Sequence, residues 1–191
     1  MSKALERPAV HAPDVHGESG LDGTDLLPVP KTEPSSVPAI DAMAAAFKAQ
    51  PKDTAWIVAT GSTTNVGALF RKHPELVSHI KGLSIMGGSI GDNFSNAPLG
   101  KVDGRERIGN ITPYAEFNIL IDPEAAHEIF SNKELAGKTT LIPLDLTHQV
   151  LATPDIRDLI LYGKERQGKE PKSTLRLMLI ELLYFFAKTY V

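Results

Sequence analysis

The chain has 191 residues, a formal net charge of −3, 42% hydrophobic residues and no cysteine. This length and apolar content can bury one substantial core, so the chain is most simply one domain. The small negative charge gives no electrostatic case for nucleic acid or an anionic membrane as a partner. The lack of cysteine excludes disulfides, thiolate zinc sites and cysteine nucleophiles, and it fits a reducing compartment. The most apolar segment, 175–187, is too short to span a bilayer, so we expect a soluble, cytoplasmic protein.

The composition and the hydrophobic periodicity of the chain change near residue 36. Residues 1–36 are rich in Pro, Gly, Ser and Asp without a sustained period, so they are predicted to be irregular. From residue 37 onwards, stretches with helical period alternate with short apolar runs, which are typical of strands covered on both faces. In chain order, the pattern predicts helix 37–49, strand 55–59, helix 64–71, a helix between Pro74 and Gly82, strand 83–86, strand 117–121, a helix from Pro123, strand 139–143, and helices from Pro154 and Thr174.

This alternation predicts an α/β fold with an open, mostly parallel, doubly wound sheet and flanking helices. The predicted domain is 1–191, in which the irregular segment 1–36 precedes an α/β body, 37–191. Ligands of such sheets lie in the crevice beyond the carboxyl ends of the strands. Four motifs are predicted to meet there, at 60–62, 86–88, 110–118 and 145–148. The excursion 89–109 is too long for an ordinary connection and is therefore either functional or mobile.

The most informative motif is the polar loop that ends at Asn118. It carries the carboxamides of Asn110 and Asn118, the carboxylate of Glu116 and the ring of Phe117, and residues 109–118 contain no Lys or Arg. These groups suit a polyhydroxylated ligand better than a phosphate, because a sugar hydroxyl can donate to Glu and can both donate to and accept from Asn. The alternative is a loop whose Asn and Glu side chains cap neighbouring backbone groups. On these residues alone, both interpretations stay open.

Other polar motifs have a structural explanation beside a chemical one. The turn 60–65 resembles an anion-binding helix N-terminus, but it matches neither the Walker pattern nor the dinucleotide glycine fingerprint. His16 lies among glycines that would let a ligand approach, and a solvated loop histidine has the same surroundings. His148 suits an acid or base, or a side chain that supports one. Ser62 and Ser84 lack the strand–turn–helix elbow of a serine hydrolase, so that mechanism has no support.

Six segments follow one another in the order of a known family and extend over nearly the whole chain: 11–23, 59–65, 86–88, 110–118, 121–126 and 144–148. At these segments the chain resembles the inosine/uridine-preferring nucleoside hydrolases. The resemblance implies cleavage of the N-glycosidic bond of ribonucleosides, which gives ribose and a free base. It also implies a calcium ion that binds ribose hydroxyls and the attacking water, and an oxocarbenium-like transition state.

The same resemblance implies roles for particular residues. The backbone carbonyl of Thr60 would be a calcium ligand. The implied substrate-binding residues are His16, Met86, Asn110, Glu116, Phe117 and Asn118. Of these, the two asparagines and the glutamate would hold ribose hydroxyls, the methionine and phenylalanine would line the sugar pocket, and the histidine would lie near the base.

The chain also departs from the family pattern. The family opens with a strand and an Asp-rich loop that supplies calcium carboxylates and the general base, and residues 1–7 stand in its place here. Beyond the helix matching 173–190 the family has a His-Asp pair, which gives a leaving-group acid and a further calcium ligand, and this sequence ends at Val191.

These departures leave the catalytic residues unknown. Calcium takes about six to eight oxygen ligands, so we expect the chain alone to bind calcium poorly and to turn nucleosides over slowly or not at all. The alternative is a non-catalytic ribose-binding, nucleoside-binding or interaction protein derived from the same fold. A homo-oligomer is open in either case.

Overall fold

The computed structural model describes residues 11–164 and 170–189. Among these residues the chain forms two compact units. The first, which we call the sheet unit, is Ser35–Val150, and the second, the helical unit, combines residues 11–34 with those from Leu151 onward. The predicted division into a segment 1–36 and a body 37–191 stays a prediction. Residues 1–7, expected to replace the opening region of the family, lie outside the described residues.

Helices and short strands alternate along the described residues. The helices are α1 (Pro13–His16), α2 (Ala39–Lys48), α3 (Thr64–Lys72), α4 (Glu75–His79), α5 (Phe117–Ile121), α6 (Pro123–Phe130), α7 (Lys133–Ala136), α8 (Leu144–Thr147), α9 (Pro154–Tyr162) and α10 (Thr174–Thr189). The strands are β1 (Trp56–Ala59), β2 (Gly82–Met86), β3 (Lys101–Val102), β4 (Arg105–Glu106) and β5 (Thr139–Ile142). Most predicted elements are therefore confirmed to within a few residues, and the segment 117–121 is the main exception.

Three parallel strands form the main sheet, in the order β1, β2, β5. Ile57 lies opposite Leu83, and Ile85 lies opposite Leu141. The excursion between β2 and α5 contributes a separate antiparallel hairpin, β3 with β4. The prediction of an open, mostly parallel α/β sheet with flanking helices is confirmed.

One face of this sheet carries the core. Successive side chains of a strand point to opposite faces, and the buried residues Ile57 and Ala59 of β1 share a face with Leu83 and Ile85 of β2. The helices that contribute buried residues to the same cluster are α2, α3, α4, α6 and α7. Burying one aliphatic side chain of this kind contributes about 1.5–3 kcal/mol. This layer therefore holds the strand ends, which position the polar motifs, in place.

The opposite face of β1 is open. Trp56 is 48% exposed and Val58 is 68% exposed. The indole of Trp56 lies over Gly82, where a Cβ atom would clash with the ring. The expectation that the run 55–59 is covered on both faces is wrong for β1 in the described residues. Composition alone does not show which face of a four-residue strand packs against helices.

The segment 117–121 is helix α5, so the predicted strand there is wrong. Glu116 precedes the helix in an extended conformation, and its carboxylate accepts hydrogen bonds from the backbone N–H groups of Asn118 and Ile119. This N-cap satisfies donors that a helix leaves free at its start. A five-residue run with four apolar residues fits a helix turn as well as a buried strand, and the cap decides between them. The predicted helix from Pro123 is confirmed as α6, and Asp122 caps it by accepting from the Ala125 N–H.

The helical unit consists of α1, the loop that follows it, α9 and α10. Arg176 of α10 donates to the carbonyl oxygens of Ile160 (2.8 Å) and Leu159 (3.5 Å) near the end of α9. The guanidinium of Arg157 on α9 lies 5.2 Å from the centre of the Tyr184 ring on α10. Polar and cation–π contacts thus join the two helices. No helix in the described part of the chain is long and apolar enough to cross a bilayer.

Candidate functional site

The residues predicted to meet beyond the strand ends do lie together. Asn118 Nδ2 donates to the carbonyl oxygen of Met86 at 3.2 Å and reaches the carbonyl oxygen of Thr60 at 3.5 Å. Met86 is the last residue of β2, and Thr60 directly follows β1. We name this group the rim, and its members are Thr60, Met86, Asn110, Glu116, Phe117 and Asn118. All six belong to the sheet unit.

The Asn118 carboxamide is fixed in one orientation. Its nitrogen faces the carbonyl ends of two neighbouring strands and also lies 3.2 Å from Met86 Sδ. Because the amide group is planar, its oxygen is turned away from these carbonyls and keeps its capacity as an acceptor. An acceptor held in place in this way loses little side-chain freedom when a ligand hydroxyl binds.

Glu116 is buried, with 3% of its surface exposed, and its contacts are with the backbone. Oε1 accepts from Asn118 N–H at 3.0 Å, and Oε2 accepts from Gly88 N–H at 2.9 Å and from Ile119 N–H at 3.1 Å. The capping interpretation of the polar loop therefore describes the hydrogen bonds of Glu116. Its predicted role as a ribose ligand stays a prediction, since a carboxylate can accept about four hydrogen bonds and three are in use here.

The loop 107–117 is closed on itself by side chains and backbone. Asn110 Oδ1 accepts from Phe117 N–H at 2.9 Å. Arg107 Nε donates to the carbonyl oxygen of Gly109 at 2.6 Å, and its guanidinium also donates to the carbonyl oxygen of Asn110. Sequence reasoning missed Arg107, which lies just outside the stretch that was noted for having no basic residue. It shapes the loop by pairing with carbonyl oxygens, which sequence spacing does not reveal.

Asp145 lies beyond the carboxyl end of β5, as the second residue of α8, and is 2% exposed. Oδ2 accepts from Ile90 N–H at 2.7 Å and Oδ1 from Gly91 N–H at 2.9 Å. Burial raises the pKa of this carboxyl, but the Ile90 and Gly91 amides, with a smaller effect of His148, hold the pKa below its ordinary value of 3.8. His148 Nδ1 lies 3.3 Å from the Pro98 carbonyl oxygen. The start of the excursion is thus fastened to α8.

His16 belongs to the helical unit, where it ends α1. Its ring packs edge-to-face on Phe186 of α10, with centroids 4.8 Å apart and planes at 82°. The residue is partly buried, so the interpretation as a fully solvated loop histidine does not describe it. Its predicted place near the base stays a prediction.

The helical unit has an open groove of about 600 Å³ beside α10. Its polar groups hold the loop after α1: Asp22 accepts from the Glu18 and Ser19 N–H groups, at 3.0 and 3.3 Å. Thr24 Oγ1 donates to Glu181. Because these groups satisfy one another, the groove gives no case for a second polar site.

The described residues do not form a calcium site. Among them, no three His, Cys, Asp or Glu side chains gather in a way that could hold a metal ion. The predicted contribution, the backbone carbonyl of Thr60, is a single oxygen. Calcium takes about six to eight oxygen ligands, largely from carboxylates, so the residues that the structure describes do not fit this ion by themselves.

Comparison with known proteins decides the family. The family profile described as inosine-uridine preferring nucleoside hydrolase matches residues 1–191. The chain belongs to this family. A uridine nucleosidase of Saccharomyces cerevisiae is 37% identical over 183 residues, which are 94% of this chain and 47% of that protein. The pyrimidine-specific ribonucleoside hydrolase RihA of Salmonella arizonae is 39% identical over 186 residues, 96% of this chain and 50% of that protein.

A solved structure of the family has the same fold. The plant nucleoside hydrolase PpNRh1 superposes with a TM-score of 0.71 at 26% identity, over 95% of this chain and 48% of that chain. The chain thus spans about half the length of the curated relatives it matches. The family resemblance read from the motifs is confirmed. The roles assigned to individual rim residues stay predictions.

Proposed function

We propose that the rim is the ribose-binding part of a hydrolase that cleaves the N-glycosidic bond of ribonucleosides. The observation that carries this proposal is the fixed Asn118 carboxamide at the ends of two strands, next to Glu116. A cluster of neutral and acidic acceptors beside a half-buried aromatic ring suits a pentose, whose hydroxyls both donate and accept. Relatives named uridine nucleosidase and pyrimidine-specific ribonucleoside hydrolase support the substrate class.

The proposed reaction replaces one bond at the sugar. A water oxygen bonds to the anomeric carbon, the bond from that carbon to the base nitrogen breaks, and the base leaves with a proton. Positive charge develops on the sugar ring in the transition state. Asn118 Oδ1 would accept from a ribose hydroxyl, Met86 and Phe117 would contact the apolar side of the ring, and the negative charge of Glu116 would favour the developing positive charge.

We expect the isolated chain to be a slow catalyst or none. Glu116 is buried and its carboxylate accepts from three backbone amides, so it is not a free base for the attacking water. The general base and the leaving-group acid stay unassigned. Calcium as the cofactor, a cytoplasmic location and a homo-oligomer belong to the same proposal. Family membership supports calcium. The absence of cysteine supports a cytoplasmic location, and the exposed side chains of Trp56 and Val58 support a homo-oligomer.

Ribose binding and ribose release test the proposal in the purified chain. Isothermal titration with D-ribose, uridine and inosine would compare the unsubstituted chain with Asn118→Ala. Asn96→Ala is the matched control, because Asn96 is an exposed residue of the excursion. Loss of one or two hydrogen bonds to the ligand should weaken ribose binding about tenfold in Asn118→Ala. Unchanged ribose affinity in Asn118→Ala would contradict the assignment of the rim.

The second candidate function is non-catalytic binding of ribose or a nucleoside, or interaction with another protein. It is favoured by the engaged carboxylate of Glu116 and by the lack of a metal-binding group among the described residues. Assays of ribose release from uridine and inosine, with and without added calcium, separate the two candidates. Release by the homogeneous chain favours the hydrolase, and nucleoside binding without release favours the binding protein.

A further inference from the structure

Asp145 is a buried carboxylate outside the rim. Its side-chain hydrogen bonds are with a backbone segment that closely follows a residue in contact with the rim. The Asp145 side chain accepts from the N–H groups of Ile90 and Gly91, and its own carbonyl oxygen accepts from Ser95 Oγ at 2.6 Å. One residue thus holds three points of the segment 90–95. This segment begins two residues after Gly88, whose N–H donates to Glu116.

Gly88 links the two carboxylates through its backbone. Its N–H donates to Glu116 Oε2 at 2.9 Å, and its carbonyl oxygen accepts from Leu144 N–H, next to Asp145, at 3.0 Å. Gly88 has φ +71° and Gly91 has φ +73°, which are conformations that glycine adopts readily. A turn with two such glycines does not hold one shape by itself. Its shape therefore depends on the groups that bind its amides.

We infer that Asp145 is a positioning residue of the rim: by binding the Ile90 and Gly91 amides, it sets the turn that aims the Gly88 N–H at Glu116. Glu116 in turn binds the Asn118 amide, so Asp145 helps to orient the acceptors that face the sugar. This last step rests on the proposed ribose-binding function. The hydrogen-bonded path from Asp145 to Glu116 does not rest on it.

Asp145→Asn tests the inference in the full chain. The substitution keeps the shape of the side chain but replaces one acceptor oxygen by a donor NH₂ group, which meets the N–H of Ile90 or Gly91. Asp92→Asn is the matched control, because it makes the same chemical change at an exposed residue of the same turn with φ 49°. Nitrogen-15 NMR of the two variants and the unsubstituted chain gives amide shifts and hydrogen-exchange rates residue by residue.

Two results are expected in Asp145→Asn and absent in Asp92→Asn. Exchange at Ile90 and Gly91 should speed up about tenfold relative to Leu83 in β2, since a buried hydrogen bond is lost locally. The amide signals of Gly88, Asn118 and Ile119, which donate to Glu116, should also shift, although none of them contacts the Asp145 carboxylate. A residue that only anchors the excursion would give the first result without the second, and that outcome would overturn the inference.

A second variant covers the case in which Asp145→Asn does not fold. Because Glu116 and Asp145 bind amides of the same turn, Glu116→Gln should also shift the amide signals of Ile90 and Gly91. If these signals stay in place, Asp145 does not act through Glu116. Titration of D-ribose is a separate readout, with about tenfold weaker binding expected in Asp145→Asn. Failure of the unsubstituted chain to bind ribose would remove the proposed function, while the amide signals would still decide the positioning role.

Discussion

In two regions of the molecule, carboxylates accept hydrogen bonds from backbone amides, and the two regions differ in how far these groups are buried. Glu116 belongs to the rim and is 3% exposed, and Asp145, which lies outside the rim, is 2% exposed. In the loop after α1, Asp22 accepts from the amides of Glu18 and Ser19, but it is only partly buried. Water can replace a lost partner at Asp22, whereas a buried amide that loses its acceptor keeps the full cost of desolvation. Similar hydrogen bonds should therefore differ in their contribution to stability.

The largest effect is expected from Glu116→Ala. This change leaves three backbone N–H groups without their acceptor, at the start of α5 and at Gly88. Hydrogen bonds to charged groups are worth more than neutral ones, so the free energy of unfolding should fall by about 2–3 kcal/mol. Urea denaturation would measure it, with Glu106→Ala as control. The exposed ion pair of Glu106 with Lys101 is expected to contribute within about 0.5 kcal/mol. Equal losses in both variants would mean that burial does not raise the contribution of the Glu116 carboxylate to stability.

Asp145→Asn should destabilise the chain by about 1–3 kcal/mol at neutral pH, because it leaves a buried amide unpaired. The pKa of Asp145 is lowered in the folded chain from 3.8. A lowered carboxyl pKa contributes stability that is complete above the unfolded value and is lost as the pH falls through the folded value. The difference between the two chains should therefore be constant above about pH 5 and shrink in more acid solution.

Urea titrations at a series of pH values would measure this difference, with Asp92→Asn as the reference for a substitution without a buried partner. A difference that persists unchanged into strong acid would mean that the charge of Asp145 is not what holds the turn.

Much of the secondary structure in both units could be predicted from local sequence. Asp122 and Pro123 start α6, Thr153 caps α9, and short runs rich in apolar and β-branched residues mark the three parallel strands. Each of these signals depends on residues within a few positions of one another. The convergence of the motifs also followed, because the carboxyl ends of parallel strands lie at one edge of the sheet.

What escaped prediction depends on distant partners. Asp145 binds amides that are 54 and 55 positions away in the sequence. The five residues of α5 carry no periodicity that separates helix from strand, and the Glu116 carboxylate that caps them also accepts from the distant Gly88 amide. His16 packs on Phe186, which belongs to a helix at the other end of the chain. Sequence patterns identify the polar side chains, but they do not show which backbone atoms form hydrogen bonds with them.

Thr63 is the converse of the buried carboxylates, because its buried hydroxyl lacks a hydrogen-bond partner among the described residues. Thr63 is 0% exposed and precedes α3 without a side-chain cap. Thr63→Val keeps the shape of the side chain and removes an unsatisfied polar atom. We expect the free energy of unfolding to rise by about 1 kcal/mol. Thr140→Val on the exposed part of β5 is the control, and urea denaturation is the measurement. A loss of stability in Thr63→Val would mean that the hydroxyl has a partner such as a bound water.

The smallest effect is expected from Asp22→Asn, in the region where water reaches the carboxylate. The Ser19 hydroxyl and, to a smaller extent, the amides of Ser19 and Glu18 lower the pKa of Asp22 below 3.8, so these groups favour its charged form. Losing that charge should speed hydrogen exchange at Glu18 and Ser19 without a measurable change in the thermal midpoint of the chain, because solvent takes over the freed amides. Gly17 makes the loop sensitive in another way, since its φ is +76° and a Cβ atom there would clash with the Asp22 side chain. Gly17→Ala should therefore disturb the helical unit more than Asp22→Asn does. If Asp22→Asn instead lowered the thermal midpoint as far as Glu116→Ala, burial would not be what separates the two regions.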